Sequence, residues 1–408
     1  MKLIRPAMAP WNDPDTFWPD LAAATSQLDP PFGVLSLPAL AANAFSLLDR
    51  AAGTPIRVAS KSVRVRGVLE AVLALPGYAG VLAYTLPEAL WLAETMDDIV
   101  VGYPTTHRAA LRELAVDERL ASQVTLMVDS VEHLDFIDSV IPPSRRTPLR
   151  VCIELDCSWE GGVFGHVGVW RSPVYTPVAA QRLARAIVKR EGFTLVGMMG
   201  YEAQVAGVTN RPPGKAARGA VIRYIQRSSI AELADRRSQA VGLVREVADL
   251  EFVNGGGTGS IESTVADASV TEVAAGSGLF GPHLFDHYTA FTPAPAASFA
   301  LSVVRKPRPG LATLMGGGWI ASGPPGLDRA PSVAWPKHLR TFPREGAGEV
   351  QTPLRGRGAR GLALGDRVWL RHTKAGELSE HLNYFSVVDR GKIVDTLPTY
   401  RGEGPVFL

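Results

Sequence analysis

Residues 55–84 read PIRVASKSVRVRGVLEAVLALPGYAGVLAY. An apolar run at PIRVAS (55–60) gives way to RGVLEAVLAL, whose apolar residues recur at helical spacing, and a second apolar run, GVLAY (80–84), follows. Short continuous apolar runs read as strands covered on both faces. A helical crossover between two of them makes them parallel neighbours. The same alternation continues through DIVVGY (98–103), QVTLMVD (123–129), LRVCIELD (149–156), FTLVGMMG (193–200), EFVNGG (251–256) and VTEVAAG (270–276). Amphipathic stretches such as LPEALWLAET, THRAALRELAV and PVAAQRLARAIVKREG lie between them. Eight such units predict an α/β fold, a closed TIM-like (β/α)8 barrel.

Working outward, FGVLSL (32–37) reads as one more buried strand, followed by a helix that opens at Pro38, a residue suited to a first helical turn. Residues 1–30 are Pro-rich and read as an irregular lead-in packed on a second domain. After about residue 290 the pattern changes. TPAPAAS is linker-like, and FALSVVRKP, LATLMGGGWIAS, RVWLRHT, LNYFSVVD and KIVDTLPTY are short β-like runs punctuated by Gly, Pro and Asp. The expected organisation is a lead-in over 1–30, a barrel over 31–290 and a mainly antiparallel β domain over 291–408 that closes the active site.

The chain has 42 Lys plus Arg against 40 Asp plus Glu, a net charge of +2, too small a bias to argue for nucleic acid or an anionic membrane as partner. Its two cysteines, Cys152 and Cys157, flank one strand end, where they cannot bridge without the chain folding back, and their spacing is not a zinc signature. No stretch reads as a signal peptide or a membrane span, so the expected location is cytoplasmic.

In a barrel the chemistry collects where the strands end. Lys61 directly follows the strand PIRVAS, where partial desolvation turns an amine into a nucleophile toward a carbonyl. NGGGTGS (254–260) offers backbone N–H groups and hydroxyls suited to a phosphate, and AAGSG (274–278) is a second such turn one unit later. Tyr201 in GYEAQ and Arg171 in GVWRSP follow two other strands. Late in the chain, RHTKAGELSEHLNYF places His372 and Lys374, and then His381 and Asn383, at alternate positions. On a strand the members of each pair would share a face.

In order and spacing these pieces resemble the fold-type III pyridoxal-phosphate enzymes, specifically the D-threonine aldolase/D-serine dehydratase branch of the alanine racemase-like superfamily and its bacterial amino acid deaminase/aldolase group. The resemblance runs from PFGVLSLPALAANA to PTYRGEG. It implies pyridoxal 5'-phosphate as cofactor, held by Lys61 as a Schiff base. It also implies phosphate contacts from Gly256, Gly257, Thr258, Gly276 and Ser277, cofactor contacts from Arg171, Tyr201 and Asn254, an amino acid substrate and a homodimer. The expected activity is a lyase on D-β-hydroxy amino acids, either retro-aldol cleavage of D-threonine-like substrates or dehydration and deamination of D-serine-like ones. His372 is then the candidate base and Lys374 the group that stabilises a developing alkoxide.

Metal-using members of this family carry His–X–Cys or His–X–Asp where this chain has His372 and Lys374. An ammonium cannot ligate unless it loses its proton, so the expectation is metal independence with Lys374 in the metal's place. His372 alone, or His381 with Asn383, is the alternative ligand set. The competing activities are a racemase with Tyr384 or Tyr400 as second base, a pyridoxal-phosphate carrier, and a Schiff-base aldolase acting on a phosphorylated sugar without that cofactor. Arg401 is the candidate for the substrate carboxylate.

Overall fold

The strand at FGVLSL, β1 (Phe32–Ser36), stands apart from the eight that follow it. Those eight are β2 (Ile56–Ala59), β3 (Tyr78–Ala83), β4 (Ile99–Val101), β5 (Val124–Val128), β6 (Leu149–Leu155), β7 (Phe193–Gly200), β8 (Phe252–Gly255) and β9 (Glu272–Ala275). They pair in parallel in the order β8-β9-β2-β3-β4-β5-β6-β7 and close into a barrel, the eight runs expected from the sequence. The computed structural model that shows this describes residues 1–323 and 326–408. A buried apolar cluster within the barrel comprises Val100, Met127, Cys152, Val196, Met199 and Phe252, drawn from β4 to β8. Both cysteines are reduced and buried.

Contact density divides the chain into two compact units. One comprises Leu47–Lys61, Leu73–Ala275 and Phe407–Leu408 and contains the barrel. The other comprises Met1–Ser46, Ser62–Val72 and Gly276–Val406. Among the described residues no helix is long and apolar enough to cross a membrane.

The second unit is built on a nine-stranded sheet. Its further strands are β10 (Ala297–Arg305), β11 (Leu311–Met315), β12 (Ser332–Trp335), β13 (Arg340–Thr341), β14 (Gln351–Arg355), β15 (Arg367–Arg371), β16 (Tyr384–Asp389) and β17 (Lys392–Pro398). The path runs β13-β14-β11-β10-β1-β16-β17, and β15 pairs with both β10 and β12. All pairings are antiparallel except β1 with β16, where Val34 lies opposite Ser386.

Two expectations change here. The strand at Phe32 lies in this sheet rather than with the barrel that was expected to start at residue 31, because a buried apolar run does not name its partner strand. The first 30 residues are not simply irregular. Pro14–Ala24 is a helix, with Pro14 in the first turn and the Asp13 side chain accepting the Asp15 N–H. Its Phe17, Trp18 and Leu21 pack against Phe32, Val34, Ala300, Trp369 and Val388 of the sheet. Pro19 inside the helix is what hid it from a pattern reading.

A buried ion pair sits among the N-terminal halves of the barrel strands. Arg57, 2% exposed, donates to both oxygens of Glu272 at 2.6 and 2.9 Å and to the Asp98 carbonyl at 2.7 Å. The Asn254 amide adds a third donor to Glu272 at 2.9 Å. Gly80 has φ +69°, and a Cβ there would fall on the Arg57 guanidinium. Removing one partner strands the other without solvent. Arg57→Ala is therefore expected to lower stability by about 3–5 kcal/mol in urea unfolding, whereas an effect under about 1 kcal/mol would show the pair to be solvated.

Candidate active site at the barrel mouth

All eight strands point the same way, so their C-terminal ends share one mouth. Directly after β2 the chain makes a single 3-10 turn, Ser60–Ser62, tied down by the Ser60 hydroxyl donating to the Leu82 carbonyl at 3.1 Å. This turn presents Lys61. Its Nζ donates to the Tyr103 hydroxyl at 2.7 Å, and Tyr103 stands two residues beyond β4. The Arg171 guanidinium carbon lies 5.4 Å from the centre of the Tyr103 ring and 5.5 Å from that of Tyr201, so one cation faces two aromatic rings. Tyr201 follows β7 immediately, and burial pushes its hydroxyl up to about 12, which keeps it protonated at neutral pH. The structure therefore brings Lys61, Arg171 and Tyr201 together through Tyr103.

Sequence reading passed over three groups here. Tyr103 was visible as the last residue of DIVVGY, a strand end like that of Lys61. Glu154 faces inward from the penultimate position of β6 and is 5% exposed. Burial pushes its carboxyl up to about 7, against the pull of the Arg171 charge. Glu202, next to Tyr201, is 2% exposed. A carboxylate inside an apolar strand carries no local signal of its role; only the closure of the barrel reveals what it faces. Beside Tyr103 opens a cleft of about 340 Å³, lined by Tyr84, Thr105, Thr106, His107 and Phe407 among others.

The glycine loop leaves β8 at Gly255. Gly256 has φ +78°, a conformation that disfavours any side chain. A Cβ at Gly257 would stand 3.0 Å from Ala206 and 3.2 Å from the Tyr201 ring, so the missing side chain leaves a cradle against that ring. The Gly256 N–H is turned inward to Glu202 at 2.9 Å and the Gly257 N–H to the Ser260 hydroxyl at 3.1 Å, so these two amides shape the loop. Arg50 holds it from outside, donating to the Thr258 carbonyl at 2.7 Å while pairing with Glu262. Asn254 donates its amide to Glu272 inside the barrel at 2.9 Å, while its Oδ1 is buried without a hydrogen-bond partner. Gly276 follows β9 and precedes a four-residue helix that starts at Ser277.

The pairs expected in the β domain belong to the sheet unit. His372 and Lys374 do not alternate on a strand. β15 ends at Arg371, and the residues after it form a turn held by the Glu377 carboxylate, which accepts the backbone N–H groups of Thr373, Lys374 and Ala375 at 3.0, 2.7 and 2.8 Å. His372 is 1% exposed and neither ring nitrogen has a hydrogen-bond partner, while the Phe280 ring meets it edge-on at 6.3 Å. Burial lowers its pKa to about 4, with the Glu377 charge opposing, so the ring is a neutral base. His381 and Asn383 are not on a strand either. His381 ends the short helix Glu377–Glu380 and stacks on Trp319 at 4.8 Å, and Asn383 is exposed. Tyr400 is buried, Tyr384 is exposed, and Arg401 is exposed on the four-residue helix Tyr400–Glu403.

The residues present fit pyridoxal phosphate: a strand-end amine, an aromatic mouth carrying a fixed cation, and a glycine loop with room for a flat ring beside Tyr201. They do not fit a divalent metal in the same way. Lys374 offers no lone pair while charged, and the Glu377 carboxylate is already taken by three N–H donors. Among the described residues no group of three or more His, Cys, Asp or Glu side chains forms a ligand cluster.

Comparison with known proteins bears on this geometry. Residues 35–283 match the family described as alanine racemase, N-terminal domain. A curated relative, 3-hydroxy-D-aspartate aldolase of Paracoccus denitrificans, is 28% identical over 263 residues, covering 62% of this chain and 61% of the relative's own length, under two thirds of that protein. Among solved structures, D-threonine aldolase from Filomicrobium marinum superposes with a TM-score of 0.75 at 18% identity, covering 92% of this chain and 96% of that one. D-threo-3-hydroxyaspartate dehydratase from Delftia sp. HT23 does so with a TM-score of 0.70 at 20% identity, covering 91% and 97%. These two structures share the fold.

The buried His372 makes stability pH-dependent. Its folded pKa lies below the ordinary value near 6.5, so the unfolded chain takes up the proton first. Its contribution is complete above pH 6.5 and is lost as the pH falls toward 4, on the order of 3 kcal/mol. Urea midpoints followed by tryptophan fluorescence should drop more steeply over that range in the wild type than in His372→Leu; parallel slopes would show the histidine to be solvated.

Proposed function

The chain belongs to the alanine racemase N-terminal domain family, and on that premise we propose that it is a pyridoxal-phosphate-dependent lyase acting on D-β-hydroxy amino acids, with Lys61 as the amine that bonds to the cofactor's aldehyde carbon. The observation that carries this is the Lys61 amine, held at 2.7 Å by the Tyr103 hydroxyl beneath the Arg171 guanidinium at the mouth of a closed barrel. The substrate class is supported by the relatives, which include a 3-hydroxy-D-aspartate aldolase, a D-threonine aldolase and a D-threo-3-hydroxyaspartate dehydratase.

When bound, pyridoxal phosphate supplies an electron sink for the pair released at the substrate Cα. The chain's own residues do the rest. Tyr103 orients the Lys61 amine. Arg171 keeps a fixed positive charge between two rings. Tyr201 stays protonated and so adds no negative charge. In cleavage, His372, neutral because it is buried, accepts the β-hydroxyl proton, and the Lys374 ammonium stabilises the oxygen left behind. In dehydration, Lys61 removes the Cα proton instead, the Cβ–O bond breaks, and the hydroxyl leaves as water on a proton supplied by the same pair, of which the Lys374 ammonium is the acid. Lys374 takes the place of a divalent ion, and the reaction is metal-independent.

Incubation of the purified protein with D-threonine, D-serine and 3-hydroxy-D-aspartate should give either glycine plus an aldehyde or ammonia plus a 2-oxo acid; neither pair from any of the three would end the substrate assignment. Borohydride reduction of the loaded protein should fix the cofactor on the peptide that contains Lys61. Lys61→Ala should lose both the label and turnover. Metal analysis should find far less than one equivalent per chain, with turnover unchanged by a chelator. A stoichiometric metal whose removal stops the reaction would reverse that part of the proposal.

A further inference from the structure

One buried carboxylate is bonded to two separate points of the glycine loop. Glu202 accepts the Gly256 N–H on one oxygen at 2.9 Å and the Thr264 hydroxyl on the other at 2.5 Å. Gly256 opens the loop, and Thr264 lies in the helix Ile261–Val265 that ends it. Glu202 therefore clamps both ends of the turn. Its charge is balanced from beneath by Arg237, which comes from the helix Ala216–Arg245 and lies 3.8 Å away while pairing with Asp267 at 2.7 Å. All four of these side chains are 7% exposed or less. The Arg237 Nη1 atom is buried without a hydrogen-bond partner, and a Cβ at Gly255 would stand 3.0 Å from it, so the guanidinium lies against the floor of the loop.

The same carboxylate belongs to the residue after Tyr201. A Cβ at Gly257 would reach to 3.2 Å of that tyrosine ring. Ring platform and glycine loop are thus fixed to each other through one residue by two hydrogen bonds, with no flexible segment between them. Resting on the reading that the cofactor's phosphate sits on this loop, we propose that Glu202, neutralised by Arg237, is a positioning residue that sets the spacing between Tyr201 and the loop and so selects the 5'-phosphorylated cofactor over unphosphorylated pyridoxal. A rigid ligand of fixed ring-to-phosphate length binds well only if both contacts can be made at once, and a loose loop loses that advantage.

The test compares apparent Kd values of apoprotein for pyridoxal 5'-phosphate and for pyridoxal, followed by cofactor absorbance. The wild type should prefer the phosphorylated form. Glu202→Gln keeps one acceptor and places a donor against the other, and Thr264→Val removes one tie while leaving the ion pair intact. Each should shrink the preference by roughly tenfold or more, mainly by weakening the phosphorylated form, the size expected when one of two supporting hydrogen bonds to a charged group is lost. Thr264→Val serves as the independent reading if Glu202→Gln does not fold. If both ligands weaken equally, or neither does, Glu202 has only a structural role and the proposal falls while the cofactor assignment stands. If the wild type does not distinguish the two ligands, the loop is not a phosphate site, and both the assignment and this inference fall.

Discussion

Every feature of the candidate site follows from one constraint: eight parallel strands closed on themselves must end at the same rim. Lys61, Tyr103, Glu154, Tyr201 and Gly256 are separated by as many as 195 positions in the chain, yet each sits at or just beyond a strand end. Closure converts that shared position in sequence into shared position in space. The buried Arg57–Glu272 pair lies on two of the strands that meet across the β9–β2 seam, so the charge pairing spans the point where the first and last barrel strands join.

The mouth is tuned by burial more than by charge. Tyr201 and Glu154 are both driven toward their neutral forms by loss of water, so neither adds a full negative charge beside the Arg171 guanidinium. An aromatic layer under a fixed guanidinium suits a flat, anionic ring better than a deep hydrophobic pocket would. The glycine loop adds shape rather than charge: its inward amides are used to hold its own curve, and absent side chains leave the space beside Tyr201.

The sheet unit illustrates a different economy. Glu377 takes three successive backbone N–H groups and bends the chain just after β15, which leaves His372 buried and neutral. A strand could have aligned His372 with Lys374 on one face. The turn instead gives the two residues different surroundings and occupies the Glu377 carboxylate with three backbone donors.

Periodicity made much of this legible in advance. The eight barrel strands, the change to β structure after residue 290, and the strand-end positions of Lys61 and Tyr201 are all local patterns, because a strand buried on both faces must be apolar along its whole length and turns must carry Gly, Pro or Asn. The residues that escaped, Tyr103, Glu154 and Glu202, are ordinary in their own segments and acquire meaning from partners outside them; Lys61 meets Tyr103 across 42 residues, Glu202 meets Gly256 across 54, and Glu154 answers to the charge of Arg171 on a separate segment after β6. The same limit explains why β1 was assigned to the barrel, whereas the helix at Pro14 was hidden by a local feature, Pro19 in its interior. A sequence by itself determines what each segment can form and which face it must bury. Which segment lies against which, and therefore what any buried polar group answers to, is decided by long-range packing, because that free energy exists only once the chain has folded.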